Sequence, residues 1–147
     1  MVVDAEYGDM VGGWPDPRLI ERIGNEFPIV QAPMAGAGGT ALCIGAIEGG
    51  ALGSLPCALL SPEQMKEQVE KVRAAVRGPL NLNFFCHDMP EAVDEGPWRA
   101  LLQPFYEEYG AAPAVPAPLR RPFDAAACAA VEIVRPEVVS FHFGLPA

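Results

Sequence analysis

Apolar residues follow two rhythms along this chain, one of about two residues and one of about 3.6. The clearest helical stretch carries Met65, Val69, Val72 and Val76 at i, i+4, i+7 and i+11, a single stripe down one face. Ser61 suits the N-cap, Pro62 the first helical position, and Gln64 completes a capping box, while Gly78-Pro79 stops the helix. Immediately afterwards the period changes to two. Leu80, Leu82 and Phe84 share one face of a strand; Asn81, Asn83 and Phe85 share the other.

The same reading organises the rest. Arg18 to Gly24 predicts one or two helical turns. Pro28 to Ala32, closed by Pro33, predicts a first strand, followed by a flexible turn over Gly36–Gly39 and a short helix from Thr40 to Glu48 that Gly49-Gly50 ends. Ala51 to Ser54 predicts a brief second strand. After the alternating third strand, a helix is expected from Trp98 to Tyr109, bent or broken at Pro104. Ala111 to Pro122 is proline-rich and irregular, Asp124 caps a helix running to about Arg135, and Val138 to Phe143 predicts a fourth strand. Strands alternate with helices, which implies a parallel sheet covered by helices. Residues 1–17, rich in Gly, Asp and Pro, read as a flexible leader, and residues 18–147 as a single α/β domain.

Composition narrows the functional classes. Half of the 147 residues are apolar, enough for a sizeable core. The net charge is -9, from 10 basic and 19 acidic residues, and this disfavours nucleic acid, whose phosphates need clustered Lys and Arg. The one basic doublet, Arg120-Arg121, reads as a solvated loop. The four cysteines form no C-x-x-C pair and no histidine stands at metal-ligand spacing from another, so no metal site is expected and the thiols read as reduced and structural. No apolar run reaches the roughly 18 residues of a membrane helix, and Met1 to Met10 lack the basic start of a secretory signal. These features predict a cytoplasmic protein that engages neither membrane nor nucleic acid.

Four stretches carry a resemblance. They are Pro28-Ile29-Val30-Gln31-Ala32-Pro33-Met34-Ala35-Gly36; Gly49-Gly50-Ala51-Leu52-Gly53-Ser54-Leu55 with Leu60-Ser61-Pro62-Glu63-Gln64-Met65 behind it; Asn81-Leu82-Asn83-Phe84-Phe85; and Val138-Val139-Ser140-Phe141-His142-Phe143-Gly144-Leu145-Pro146. In order and spacing they resemble the opening of the nitronate monooxygenase (2-nitropropane dioxygenase-like) family, from about residue 18 to the end. The resemblance implies a partial (β/α)8 TIM barrel with about four parallel strands. It also implies FMN at the C-terminal strand ends, a small nitronate-like substrate, and products comprising a carbonyl compound and nitrite. Related flavin barrels reduce enoyl thioesters, which makes such a reductase an alternative.

The implied site residues follow from the matched motifs. Ala32, Pro33 and Met34 would lie against the flavin ring with their backbone, and Asn83 would contact FMN. The bland reading makes Met34 a core side chain beside a plain turn, and Asn83 a partner for a neighbouring strand. His142 shares a face with Val138 and Ser140 and is a weak catalytic candidate, with His87 weaker still. The family's usual catalytic histidine lies beyond the fourth strand, near a Gly-Gly-His segment not found here. A competing motif, Gly36-Ala37-Gly38-Gly39-Thr40-Ala41, fits the dinucleotide fingerprint, yet Pro56-Cys57 stand where its acidic residue belongs.

A complete barrel needs about 250 residues and eight strands, with its phosphate site on the loops after strands seven and eight. The expectation is therefore an N-terminal barrel half, inactive on its own, that pairs with a complementary half or self-associates. The alternative of a different class is a non-catalytic half-barrel remnant or interaction module.

Overall fold

The computed structural model describes residue 14 and residues 16–91, 94–113 and 119–146. Of the expected leader, residues 1–13 and 15 lie outside the described residues. In chain order the elements are α1 (Arg18–Ile23), α2 (Thr40–Glu48), β1 (Gly53–Pro56), a 3-10 turn (Cys57–Leu59), α3 (Pro62–Ala75), β2 (Leu80–Phe85), α4 (Gly96–Tyr109), α5 (Ala125–Val134) and β3 (Val138–His142). They fall into two compact units. One comprises the residues up to His87 together with those from Arg121 onward, and the other runs from Asp88 to Arg120.

The larger unit is a parallel sheet of order β1-β2-β3. Gly53 pairs with Leu80, Asn81 with Val138, and Phe85 with His142. This register puts Leu55, Leu80, Leu82, Phe84, Val139 and Phe141 on one face. Met65, Val69 and Val72 of α3, Cys43 and Ile47 of α2, and Ala130 of α5 complete the core with them. Fully burying a Leu or Phe contributes roughly 1.5–3 kcal/mol, so this layer dominates the stability of the unit. Gly53 permits α2 to lie directly on β1, because a Cβ there would come within 2.7 Å of the Cys43 carbonyl.

Local signals set the helix ends. Ser61 accepts from the Gln64 N–H and Gln64 reaches back to the Ser61 N–H, the expected capping box. Asp124 caps α5 by accepting from the Ala127 N–H. The helix α3 ends at Ala75, ahead of Gly78-Pro79, and Val76 packs partly buried against the core.

Three expectations shift. The first strand is reduced to one parallel bridge between Val30 and Leu52, held by N–H donation from Gln31 to the Leu52 carbonyl and from Leu52 to the Ile29 carbonyl. The second strand starts at Gly53 and not at Ala51, because its pairing with Leu80 sets its limits. The fourth ends at His142, since Phe143 and Gly144 adopt positive φ of 71° and 146°.

In the smaller unit, α4 begins at Gly96 and runs through Pro104 without interruption to a left-handed Gly110. Of the expected bend or break at Pro104, the break is absent. A proline deletes one backbone donor, and the turns on either side carry the helix past it. Trp98, Leu101, Leu102, Phe105 and Tyr109 are all exposed.

Among the described residues no helix is long and apolar enough to cross a membrane. Nor, among them, does any group of three His, Cys, Asp or Glu side chains form a metal site.

Candidate functional site

Because all three strands run the same way, their C-terminal ends Pro56, Phe85 and His142 gather on one edge of the sheet. The turn after the Val30 bridge arrives at the same edge: a Cβ on Gly38 would lie 3.7 Å from Pro56 Cγ and 3.1 Å from the Met34 carbonyl. Ala37 and Gly38 both donate N–H to that carbonyl. Met34 is 46% exposed among the described residues. Ala32 is exposed and its carbonyl accepts from the Gln31 side chain at 2.6 Å. Pro33 is half-buried.

The face of the sheet away from the helices is polar. Gln31 Oε1 accepts from the Ser54 N–H at 2.8 Å, and Asn81 Nδ2 bonds Ser54 Oγ at 3.1 Å. Asn81 Oδ1 is buried with no hydrogen-bond partner among the described residues. Nearer the C-terminal edge, Asn83 is 2% exposed. Its Nδ2 donates to the Ser140 carbonyl at 3.2 Å and bonds Ser140 Oγ at 2.9 Å, while its Oδ1 lies 3.1 Å from His142 Nδ1. Around His142 stand the rings of Phe85, perpendicular with centroids 6.2 Å apart, and Phe143, at 6.0 Å. The His87 ring lies 6.4 Å from Phe85 and 6.5 Å from Phe143.

Strand parity thus correctly sends Asn83 and His142 to the inner face. Sequence reasoning placed Ser140 on the face of His142 but missed its bonds to Asn83, and missed that Gln31, Ser54 and Asn81 are linked in a second polar layer beneath. The signal was present in the pairs Asn81/Asn83 and Ser140/His142, each two residues apart on a strand.

The two buried thiols, Cys43 and Cys57, offer no nucleophile here. Burial pushes Cys57 up to about 12, against the pull of the Asn83 backbone N–H, and Cys43 up to about 11. All four cysteines are free; Cys43 and Cys57 are buried, Cys86 is half-buried and Cys128 is exposed. The glycine-rich turn and α2 N-terminus border a separate cavity of about 380 Å³ with Lys71, whose ammonium is paired with Glu67 at 2.7 Å. Neither Asn83 nor His142 lines it.

Parallel strands alternating with helices, with polar side chains converging at the C-terminal strand ends, define a partial (β/α)8 barrel. The comparisons make this specific. Residues 16–147 match the model of the nitronate monooxygenase family, and the chain belongs to that family. It is 37% identical over 135 residues to a nitronate monooxygenase of Paraburkholderia phytofirmans, covering 87% of this chain and 36% of the relative. With a nitronate monooxygenase of Pseudomonas aeruginosa it shares 33% identity over 136 residues, covering 88% and 38%. Among solved structures it is similar to a nitroalkane oxidase from Streptomyces ansochromogenes, with a TM-score of 0.71 and 29% identity over 87% of this chain and 36% of that one. The chain therefore spans little more than a third of the length of these relatives.

Proposed function

We propose that this chain supplies the flavin-ring side of an FMN-dependent oxidoreductase that oxidises alkyl nitronates with oxygen to a carbonyl compound and nitrite. The family match over residues 16–147 carries this reading. When bound, the flavin would supply the electron transfer between nitronate and oxygen.

The residues present fit a flavin ring. The Met34 carbonyl is occupied by Ala37 and Gly38, and the Ala32 carbonyl by Gln31, so the turn offers backbone whose carbonyls are already bonded, and an exposed methionine. Such a surface suits a flat, neutral heteroaromatic better than an anion, and a methionine adapts readily to an aromatic ring. Ala32, Pro33 and Met34 would pack on the ring. Asn83 would face it from β2, and His142 from β3, beside Phe85. None of Ala32, Pro33, Met34 and Asn83 carries a charge, so the phosphate would be held by other parts of the barrel. The two buried reduced thiols support a cytoplasmic setting.

The test is a chimera in which residues 16–147 replace the matching segment of the Paraburkholderia relative. FMN-dependent nitrite release from an alkyl nitronate, with oxygen uptake, is the expected outcome. A folded, flavin-loaded chimera that releases no nitrite, and oxidises a nicotinamide in the presence of an enoyl thioester, would overturn the substrate assignment. The 147-residue polypeptide by itself is expected to show no turnover.

A further inference from the structure

The backbone carbonyl of Ser140 decides how the Asn83 amide is turned. A carbonyl oxygen only accepts, so the amide atom 3.2 Å from it must be the NH2 group. The same group meets Ser140 Oγ at 2.9 Å. The other amide atom, Oδ1, only accepts, and it lies 3.1 Å from His142 Nδ1. The ring nitrogen must therefore carry the proton. From this chain we infer that Asn83 is a positioning residue for His142. It holds the neutral imidazole as the Nδ1–H tautomer and leaves the Nε2 lone pair free on the opposite side of an exposed ring.

The consequence rests on the flavin-site reading above and deepens it. A lone pair at Nε2 accepts a hydrogen bond from an N–H or O–H donor. It cannot donate to the oxygens of an anionic nitronate, and would repel them. Neutral His142 is thus matched to a ring N–H of a heteroaromatic cofactor and not to the substrate's nitro group. Without Asn83 the ring would be free to take the Nε2–H form, which presents a donor and reverses that preference. The rings of Phe85 and Phe143 stand with centroids 6.2 and 6.0 Å from that of His142.

The experiment needs neither flavin nor turnover, so its failure is separable from failure of the functional proposal. The chain contains two histidines, His87 and His142, which gives a two-signal spectrum with His87 as internal reference. Long-range proton–nitrogen correlation spectra of the ¹⁵N-labelled chain, taken well above the ordinary histidine titration range, report the tautomer directly. His142 is expected to show a protonated Nδ1 and a bare Nε2. In Asn83→Leu it should change to predominantly Nε2–H while His87 stays unchanged. In Asn83→Asp, which keeps an acceptor in place, it should remain Nδ1–H. An Nε2–H ring in the unmodified chain overturns the inference, as does an Nδ1–H ring that persists in Asn83→Leu. If Asn83→Leu does not fold, the unmodified spectrum decides alone, an Nδ1–H ring upholding the inference.

Discussion

Two faces of one strand behave differently. On β2, Leu80, Leu82 and Phe84 face the helices, while Asn81, Asn83 and Phe85 face away, and five of these six residues are buried. Burial alone does not distinguish the faces; what surrounds each one does. The apolar side chains lose water against α2, α3 and α5, a non-directional gain proportional to area. The amides lie among Ser54, Ser140 and His142, where each depends on one or two directed bonds. The first face holds the fold and tolerates changes of shape poorly. The second contributes less to stability and presents directed donors and acceptors at the edge of the sheet.

Substitutions can break this contrast, the largest expected effect being on the helix side. Leu82→Ala, at a fully buried position, should cost about 2–5 kcal/mol in chemical denaturation. A loss below about 1 kcal/mol would mean the layer is not packed as described. On the inner side, Asn83→Ala should cost about 1–3 kcal/mol, through the bonds to Ser140 and His142. Asn81→Ala should cost less than Asn83→Ala, since it loses one bond to Ser54 and also removes a buried oxygen that has no partner. Equal costs at the two positions would contradict the difference in their partners.

A further effect depends on pH. Cys43 and Cys57 ionise well above the ordinary thiol value in the folded chain, so the unfolded chain releases those protons first. Their contribution is fully present below about pH 9, the ordinary thiol value, and is lost as pH rises toward the folded values of about 11 and 12. Urea midpoints should fall from pH 8 to 10, and fall less steeply when both cysteines are alanine; identical slopes would remove the thiols from the account. In native labelling at pH 8, Cys128 should react fastest, with Cys43 and Cys57 slowest.

The edges of the sheet sharpen the contrast in another way. Among the described residues, β3 has a strand on one side only. An open edge beside an exposed Phe143 and Leu145 favours pairing with another chain. Light scattering of the 147-residue polypeptide should show mass rising with concentration, and a constant monomer mass would refute this.

What was legible in the sequence was local. The Ser61–Gln64 capping box, the Asp124 cap and the alternation over Leu80–Phe85 each depend on residues within a few positions of one another. The limits of β1 were not legible, because pairing with Leu80 sets them and the hydropathy around Ala51 gives no hint of that. Likewise Val30 and Ile29 have strand-like composition, yet one bridge is all that their described neighbours offer. For the site, parity placed Asn83 and His142 on one face. The contact between them needed the register Asn83 to Ser140, fixed by strands 57 residues apart. Parity also put Ser140 on that face, but its bonds to Asn83 were not legible without the register.

The central claim is that the C-terminal strand edge around Met34, Asn83 and His142 forms the ring side of a flavin site. The most direct measurement is flavin affinity of the chimera carrying residues 16–147, by fluorescence titration with FMN, in its unmodified, Asn83→Ala and Asn81→Ala forms. The account predicts a yellow protein, affinity lowered about 5- to 30-fold by Asn83→Ala, equivalent to about 1–2 kcal/mol, and unchanged by Asn81→Ala in the layer below. A folded chimera that takes up no flavin, or equal affinities in all three forms, would contradict it.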